Sequence, residues 1–282
     1  MTAFTHIDTT AMPWEVEPAI PGFKRRLLDT DPVTKGQIKL WHLPPAFGAV
    51  KGSFPHRHYH RTVTERAYHL SGDFPHWEFE TGADMEGTLV VFRRHIFMDR
   101  PPLSIHGRFG AQVSQTGSEI LYWNDGLGAG LGEPEADVET VTVEFDERGR
   151  ADRTNFTKAS VFLTVERPWL SHAVHNGWKA KPLAGRFERN AAVTLVAVPM
   201  DASAPDGVTI PGSEAPRWLF VIAGDLTVRI SADGGHRSVT LREGGFLKWS
   251  PAASVGFAAG AVSAGGAHVL CIGHDLARAR DG

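Results

Sequence analysis

The chain has 282 residues, 42% hydrophobic and 22% charged, enough for one large domain or two of ordinary size with real cores. Its formal net charge is −3 with no basic block, so nothing electrostatic argues for nucleic acid or an anionic membrane as a partner. The single cysteine, Cys271, excludes an internal disulfide framework and a cysteine-based zinc site. The first residues, MTAFTHIDTTAMPWEVEP, lack the positive start and apolar core of a secretory signal, and no run approaches the ~18 apolar residues of a spanning helix. A cytoplasmic location is the expectation.

In chain order, short apolar alternations dominate: QIKLWHL (37–43), RAYHLSG (66–72), TLVVF (88–92), EILYW (119–123) and TVTVEF (140–145), then VTLVAV (193–198), WLFVIAG (218–224), LTVRI (226–230) and HVLCIG (268–273). Each is bounded by Gly, Pro, Asp or Asn, as strands are, and helical periodicity is scarce. The pattern predicts an all-β protein, closed as sandwiches or barrels to protect its strand edges.

The two halves resemble each other. Gly72-Asp73 in AYHLSGDFPHWEF (67–79) falls on Gly224-Asp225 in LFVIAGDLTVRI (219–230), PPLSIHG (101–107) on PAASVGF (251–257), and SQTGSEILYWNDGL (114–127) on SAGGAHVLCIGHDL (263–276), at offsets of 152, 150 and 149. Trp14 with Gly22, and Trp178 with Gly185, open the two halves. This predicts two similar β-barrel domains, 1–150 and 151–282.

Chemistry concentrates in GSFPHRHYHRTVTERAYHLSG (52–72). His58 and His60 share one face of an extended segment, so both imidazoles can reach one ion. Imidazole with a carboxylate suits iron, manganese or zinc, with copper and nickel also open to imidazole.

With Gly52, His58, His60, Glu65 and Gly72 at the spacings of its first motif, the chain resembles the cupin superfamily. Pro101 and His106 fit its second motif, but His95 and Leu103 stand where that motif has glycines, and Gly110 where it has asparagine. The resemblance implies tandem antiparallel barrels of jelly-roll type (the double-stranded β-helix) and a metal held by His58, His60, Glu65 and His106. In the second half Gly245 and Pro251 remain, but Ile210, Gly212, Arg217 and Gly256 fall at the four ligand positions. The chain thus resembles a bicupin with one metal site, in 1–150, and a C-terminal barrel without ligands.

His56 shares the parity of His58 and His60 and is read as a neighbour. His69, four residues after Glu65, faces the same interior, as a partner to a ligand, a proton shuttle, or a hydrogen-bonded histidine without chemistry. Arg108 has the parity of His106 and is a candidate clamp for an anionic substrate group; with His69 it completes the candidate catalytic pair. Tyr68, Trp77 and Phe79 read as packing, and His172 and His175 as part of a connector ending in the Asn176-Gly177 turn.

The resemblance implies one divalent transition metal per chain, Fe(II) first, with Mn, Ni or Zn as alternatives. It implies a small-molecule substrate and a dioxygenase acting on an enolic, diketone or aromatic compound. A Lewis-acid isomerase or lyase, and a non-enzymatic small-molecule binder, stand as alternatives. Uncovered sheet edges make a homodimer an expectation as well.

Overall fold

The β-branched and aromatic runs identified above form strands, and among the described residues no α-helix interrupts them. The computed structural model describes residues 3–17, 20, 22–47, 57–81, 84, 86–107, 113–126, 140–142, 156–171, 178–184, 193–198, 209–211, 217–232, 234–250, 252–261 and 264–273. No helix among them is long and apolar enough to cross a membrane. By its internal contacts the chain divides into a unit Pro13–Val165 and a unit made of Met1–Met12 with Glu166–Gly282.

In the Pro13–Val165 unit one strand, Glu65–Glu78, organises the architecture. Its first half pairs with Ser118–Asn124 on one side and Ile96–Arg100 on the other; its second half pairs with Thr88–Arg93 and His106–Gly107. The change of partners is built into the backbone. Glu119 pairs with Ser71 but Ile120 with His69, which leaves Leu70 as an unpaired bulge residue. Two residues on, Gly72 has φ 76°, and a Cβ there would lie 1.9 Å from the Gly117 carbonyl oxygen, so only glycine fits. The strand therefore bends between two ladders and encloses an apolar core that includes Phe23, Leu43, Phe74, Phe92, Met98 and Ile120.

The other unit contains a seven-stranded and a four-stranded antiparallel sheet. Both contribute to one apolar core, with Leu219, Val221 and Trp249 from the first and Val228, Ile230 and Val255 from the second. The same local devices recur in both units. Gly224 repeats the φ of Gly72 (75°), and Gly266 that of Gly117 (78° in both). The His95 amide donates to the His69 carbonyl, and the Gly244 amide to the Val221 carbonyl, at 2.9 Å in each case.

The units differ from the expected division at 150 in a systematic way. Ser160–Leu163 pairs with Ile96–Arg100 of the first unit, while Phe4–Asp8 pairs with Gly245–Trp249 of the second. Each strand runs into a short 3-10 turn whose threonine caps the neighbouring turn. Thr164 Oγ1 donates to the His95 carbonyl at 2.8 Å, and Thr9 Oγ1 to the Gly244 carbonyl at 2.6 Å. The leading strand of each repeat is thus built into the sheet of the other. By internal contacts the units divide after residues 12 and 165, where repeat spacing alone places the division at 150.

Deleting residues 1–12 removes a five-residue edge ladder and the Thr9 cap. At ~0.5–1.5 kcal/mol per hydrogen bond, the loss is about 3 kcal/mol, and the bared Gly245–Trp249 edge becomes a template for association. Urea unfolding followed by light scattering checks this; unchanged stability with a monodisperse protein would show the strand to be dispensable.

Candidate metal centre

His58–His60 is a three-residue strand between Thr140–Thr142 and His106–Gly107. His58 and His106 are direct cross-strand partners, so their side chains leave the sheet on the same face. Their rings lie 4.2 Å apart, centre to centre, and His60 lies 5.2 Å from His58 and 5.3 Å from His106. One nitrogen from each of the three falls within 4.8 Å of the other two, and all three residues are buried. Glu65, at the start of the long strand, brings Oε1 to 3.5 Å from His60 Nε2 and Oε2 to 3.1 Å from His106 Nε2.

This donor set fits a divalent transition metal. His106 Nδ1 lies 3.0 Å from the Ser104 carbonyl oxygen, which can only accept, so Nδ1 carries the proton and the Nε2 lone pair faces inward. Burial, then Arg100, lowers the His106 pKa to about 4 against the opposing pull of Glu65, keeping the ring neutral, as a ligand must be. A lone pair and a carboxylate oxygen at 3.1 Å repel each other unless a cation lies between them. Donors ~2.1 Å from one ion at right angles are about 3 Å apart, close to the spacings found here.

The carboxylate is held from behind. Tyr122 Oη donates to Glu65 Oε1 at 2.5 Å, and Arg100 Nη1 donates to Oε2 at 2.9 Å. Burial and then the Glu65 charge raise the Tyr122 pKa well above its ordinary value, so the phenol stays a donor. Burial alone would raise the Glu65 carboxyl, yet it is held well below the usual range, and the Arg100 guanidinium at Oε2 favours the charged form. Arg100 also grips Glu78 through Nη2 and, at 3.4 Å, through Nε. His76 Nδ1 lies 3.5 Å from Glu78 Oε1, and its ring is 5.9 Å from that of His106. Arg100, Glu78, His76 and Tyr122 form the surround of the centre, and no spacing motif announces any of them.

All of these groups except Glu78 line a cavity with about 60 Å³ open to water-sized molecules. His69 lines it too. Its ring stacks on Phe92 at 4.7 Å and 3°, and its Nδ1 is buried without a hydrogen-bond partner. Burial, then His76 and Arg100, lowers the His69 pKa to about 3, so it is a neutral imidazole. The structure therefore brings together His58, His60, Glu65 and His106, with His69 further along the wall. Arg108, His56, His172 and His175 lie outside the described residues, as do Gly52 and Gly110. Tyr68 is buried with its hydroxyl 3.0 Å from His95 Nδ1, and Trp77 and Phe79 pack against Tyr59 and Ile105.

Among the described residues, the second unit has no matching histidine cluster. The cross-strand pair Glu65 and Arg100 has its counterpart in Arg217 and Trp249. Trp249 is buried in the apolar core, where the first unit has a charged brace. Gly256 is opposite Thr209, and Ile210 lies in the same short strand.

No protein-family model and no curated protein sequence matches the chain. Solved structures do. Protein YlbA of E. coli, of the family DUF861, has a TM-score of 0.58 at 12% identity, covering 96% of this chain and 92% of its own. Oxalate decarboxylase of Bacillus subtilis has a TM-score of 0.56 at 12% identity (95% and 76%). HEPD of Streptomyces albus, solved with its substrate 2-hydroxyethylphosphonate and Fe(II) bound, has a TM-score of 0.59 at 10% identity (96% and 75%). The chain has the cupin fold, with a three-histidine cluster able to hold a metal.

Proposed function

We propose that this protein is a metal-dependent cupin enzyme, a non-haem iron dioxygenase acting on a small oxygenated substrate. One observation carries the reading: three buried imidazoles and a carboxylate converge at one end of a cavity whose remaining walls are largely apolar. HEPD, which shares the fold, holds Fe(II). Iron bound here would supply redox chemistry and open positions for dioxygen and a substrate oxygen. The residues of the chain do the rest. Ser104 fixes the His106 tautomer, Tyr122 and Arg100 orient Glu65, and Phe23, Phe74, Phe92 and Met98 exclude water.

A second reading, a Lewis-acid isomerase or lyase, draws support from His76 beside Glu78, an imidazole–carboxylate pair suited to moving a proton without redox chemistry. Oxygen-electrode assays separate the two. Protein reconstituted anaerobically with Fe(II) should consume oxygen on adding small diketones, enols or catechols, and the zinc form should not. Oxygen left untouched by every iron sample, with carbonyl turnover by the zinc or nickel form, would replace the first reading with the second.

A further inference from the structure

The cavity has two chemically different ends. At one are His58, His60, Glu65 and His106; at the other, Phe23, Phe74, Phe92, Met98 and Ile120 form an apolar bowl. Ala67 joins them, because Glu65, Ala67 and His69 alternate along one face of the same strand and all three line the cavity. Its methyl is the smallest side chain lining the cavity, so enlarging it takes space from a bound body.

Charge decides what that body is. Arg100 is the one lysine or arginine among the described residues lining the cavity, and its guanidinium is engaged by the Glu65 and Glu78 carboxylates. An anionic group at the far end of a ligand would therefore meet apolar walls, and the one lining cation among the described residues is already held by carboxylates. His69 is neutral and flat against Phe92, offering a hydrogen bond to an uncharged polar group but no charge. Space beside the metal-binding end is modest as well, with about 60 Å³ open to water-sized molecules.

We infer that the cavity takes a ligand with a single metal-binding oxygen head joined to a short, uncharged hydrocarbon body. Among the described residues nothing at the apolar end would hold a second anionic group, so diacids and phosphonate-tailed compounds are expected to bind less tightly. This deepens the reading of the site as a metal enzyme and rests on it.

The test uses full-length protein loaded with redox-inert zinc and titrated calorimetrically with alkyl hydroxamates, whose head chelates metal whatever the native substrate. From acetohydroxamate to butyrohydroxamate, affinity should rise about threefold to fourfold per methylene, then stop rising once the bowl is full. Ala67→Leu should move that limit about two carbons shorter, and Met98→Ala should move it longer. The opposite directions keep the result readable if one variant folds poorly. A flat series, or tighter binding of a carboxylate-tailed hydroxamate, overturns the substrate class and leaves the metal site standing. A protein that binds zinc but no hydroxamate overturns it too, whereas a protein that retains no zinc overturns both this inference and the enzyme reading.

Discussion

His106→Ala is expected to lower metal affinity by more than ~100-fold, because losing even an outer partner of a ligand costs ~10–100-fold. The histidine supplies the one donor that arrives from far along the chain, and its tautomer is already fixed by the Ser104 carbonyl. Without it, His58 loses the ring 4.2 Å away and Glu65 Oε2 loses the nitrogen 3.1 Å away. Competition against a chromophoric chelator, with metal content measured on the same samples, checks the expectation. His69→Phe is the control. It keeps the flat stack on Phe92 and removes a neutral imidazole that is not part of the three-histidine cluster, so metal affinity should hold. Full affinity in His106→Ala would remove that residue from the centre, and a large loss in His69→Phe would bring His69 into it.

Much of this arrangement is legible in the sequence because motif spacing encodes it. Gly52, His58, His60, Glu65 and Gly72 stand at fixed intervals, and the alternation of a strand explains why His58 with His60, and Glu65 with His69, share faces. The polar surround is not legible, for a definite reason. Strict alternation from Glu65 would carry the interior face through Trp77 and Phe79. The Leu70 bulge and the Gly72 bend shift the parity, so residues 65, 67 and 69 line the cavity before the bend and Phe74 and His76 after it. Trp77 and Phe79 then pack with Tyr59 and Ile105. No composition rule announces a one-residue bulge.

The weakness of the second motif has a physical resolution too. His95 and Leu103, where glycines were expected, adopt φ of 71° and 66°, the left-handed region that glycine enters without penalty. The backbone of the motif is kept while its residues depart, at a cost of order 1–2 kcal/mol per position. Compensation is visible at both. The His95 ring meets the Tyr68 hydroxyl at 3.0 Å, its carbonyl accepts from Thr164, and the Leu103 amide donates to the His60 carbonyl at 2.7 Å. The last bond ties the turn before His106 to the strand carrying His58 and His60, so the turn geometry serves the metal centre.

Arg100→Leu is expected to destabilise the Pro13–Val165 unit by about 3–5 kcal/mol, the range for breaking a buried ion pair by removing one partner. Arg100 is 5% exposed and its guanidinium bridges two carboxylates, so its loss takes the arginine from both Glu65 and Glu78. If stranded charge is the cause, Arg100→Met combined with Glu78→Leu should recover a large part of the loss, since only Glu65 then lacks its arginine, and added zinc should recover more. The pH dependence follows from Glu78. Burial alone would raise its carboxyl, but Arg100 and then His76 pull it down to about 2. A depressed pKa contributes stability that is complete above the ordinary value of 4.5 and is lost as pH falls toward 2. The wild type should therefore lose stability between about pH 4.5 and 2, and the double variant should lose less over that window. Urea unfolding at pH 7 and pH 4, with and without zinc, measures all of this. If Arg100→Leu is as stable as wild type, the brace is ornamental. If the double variant is no better than the single, the cost lies in lost packing around the arginine stem and not in the two carboxylates it joins.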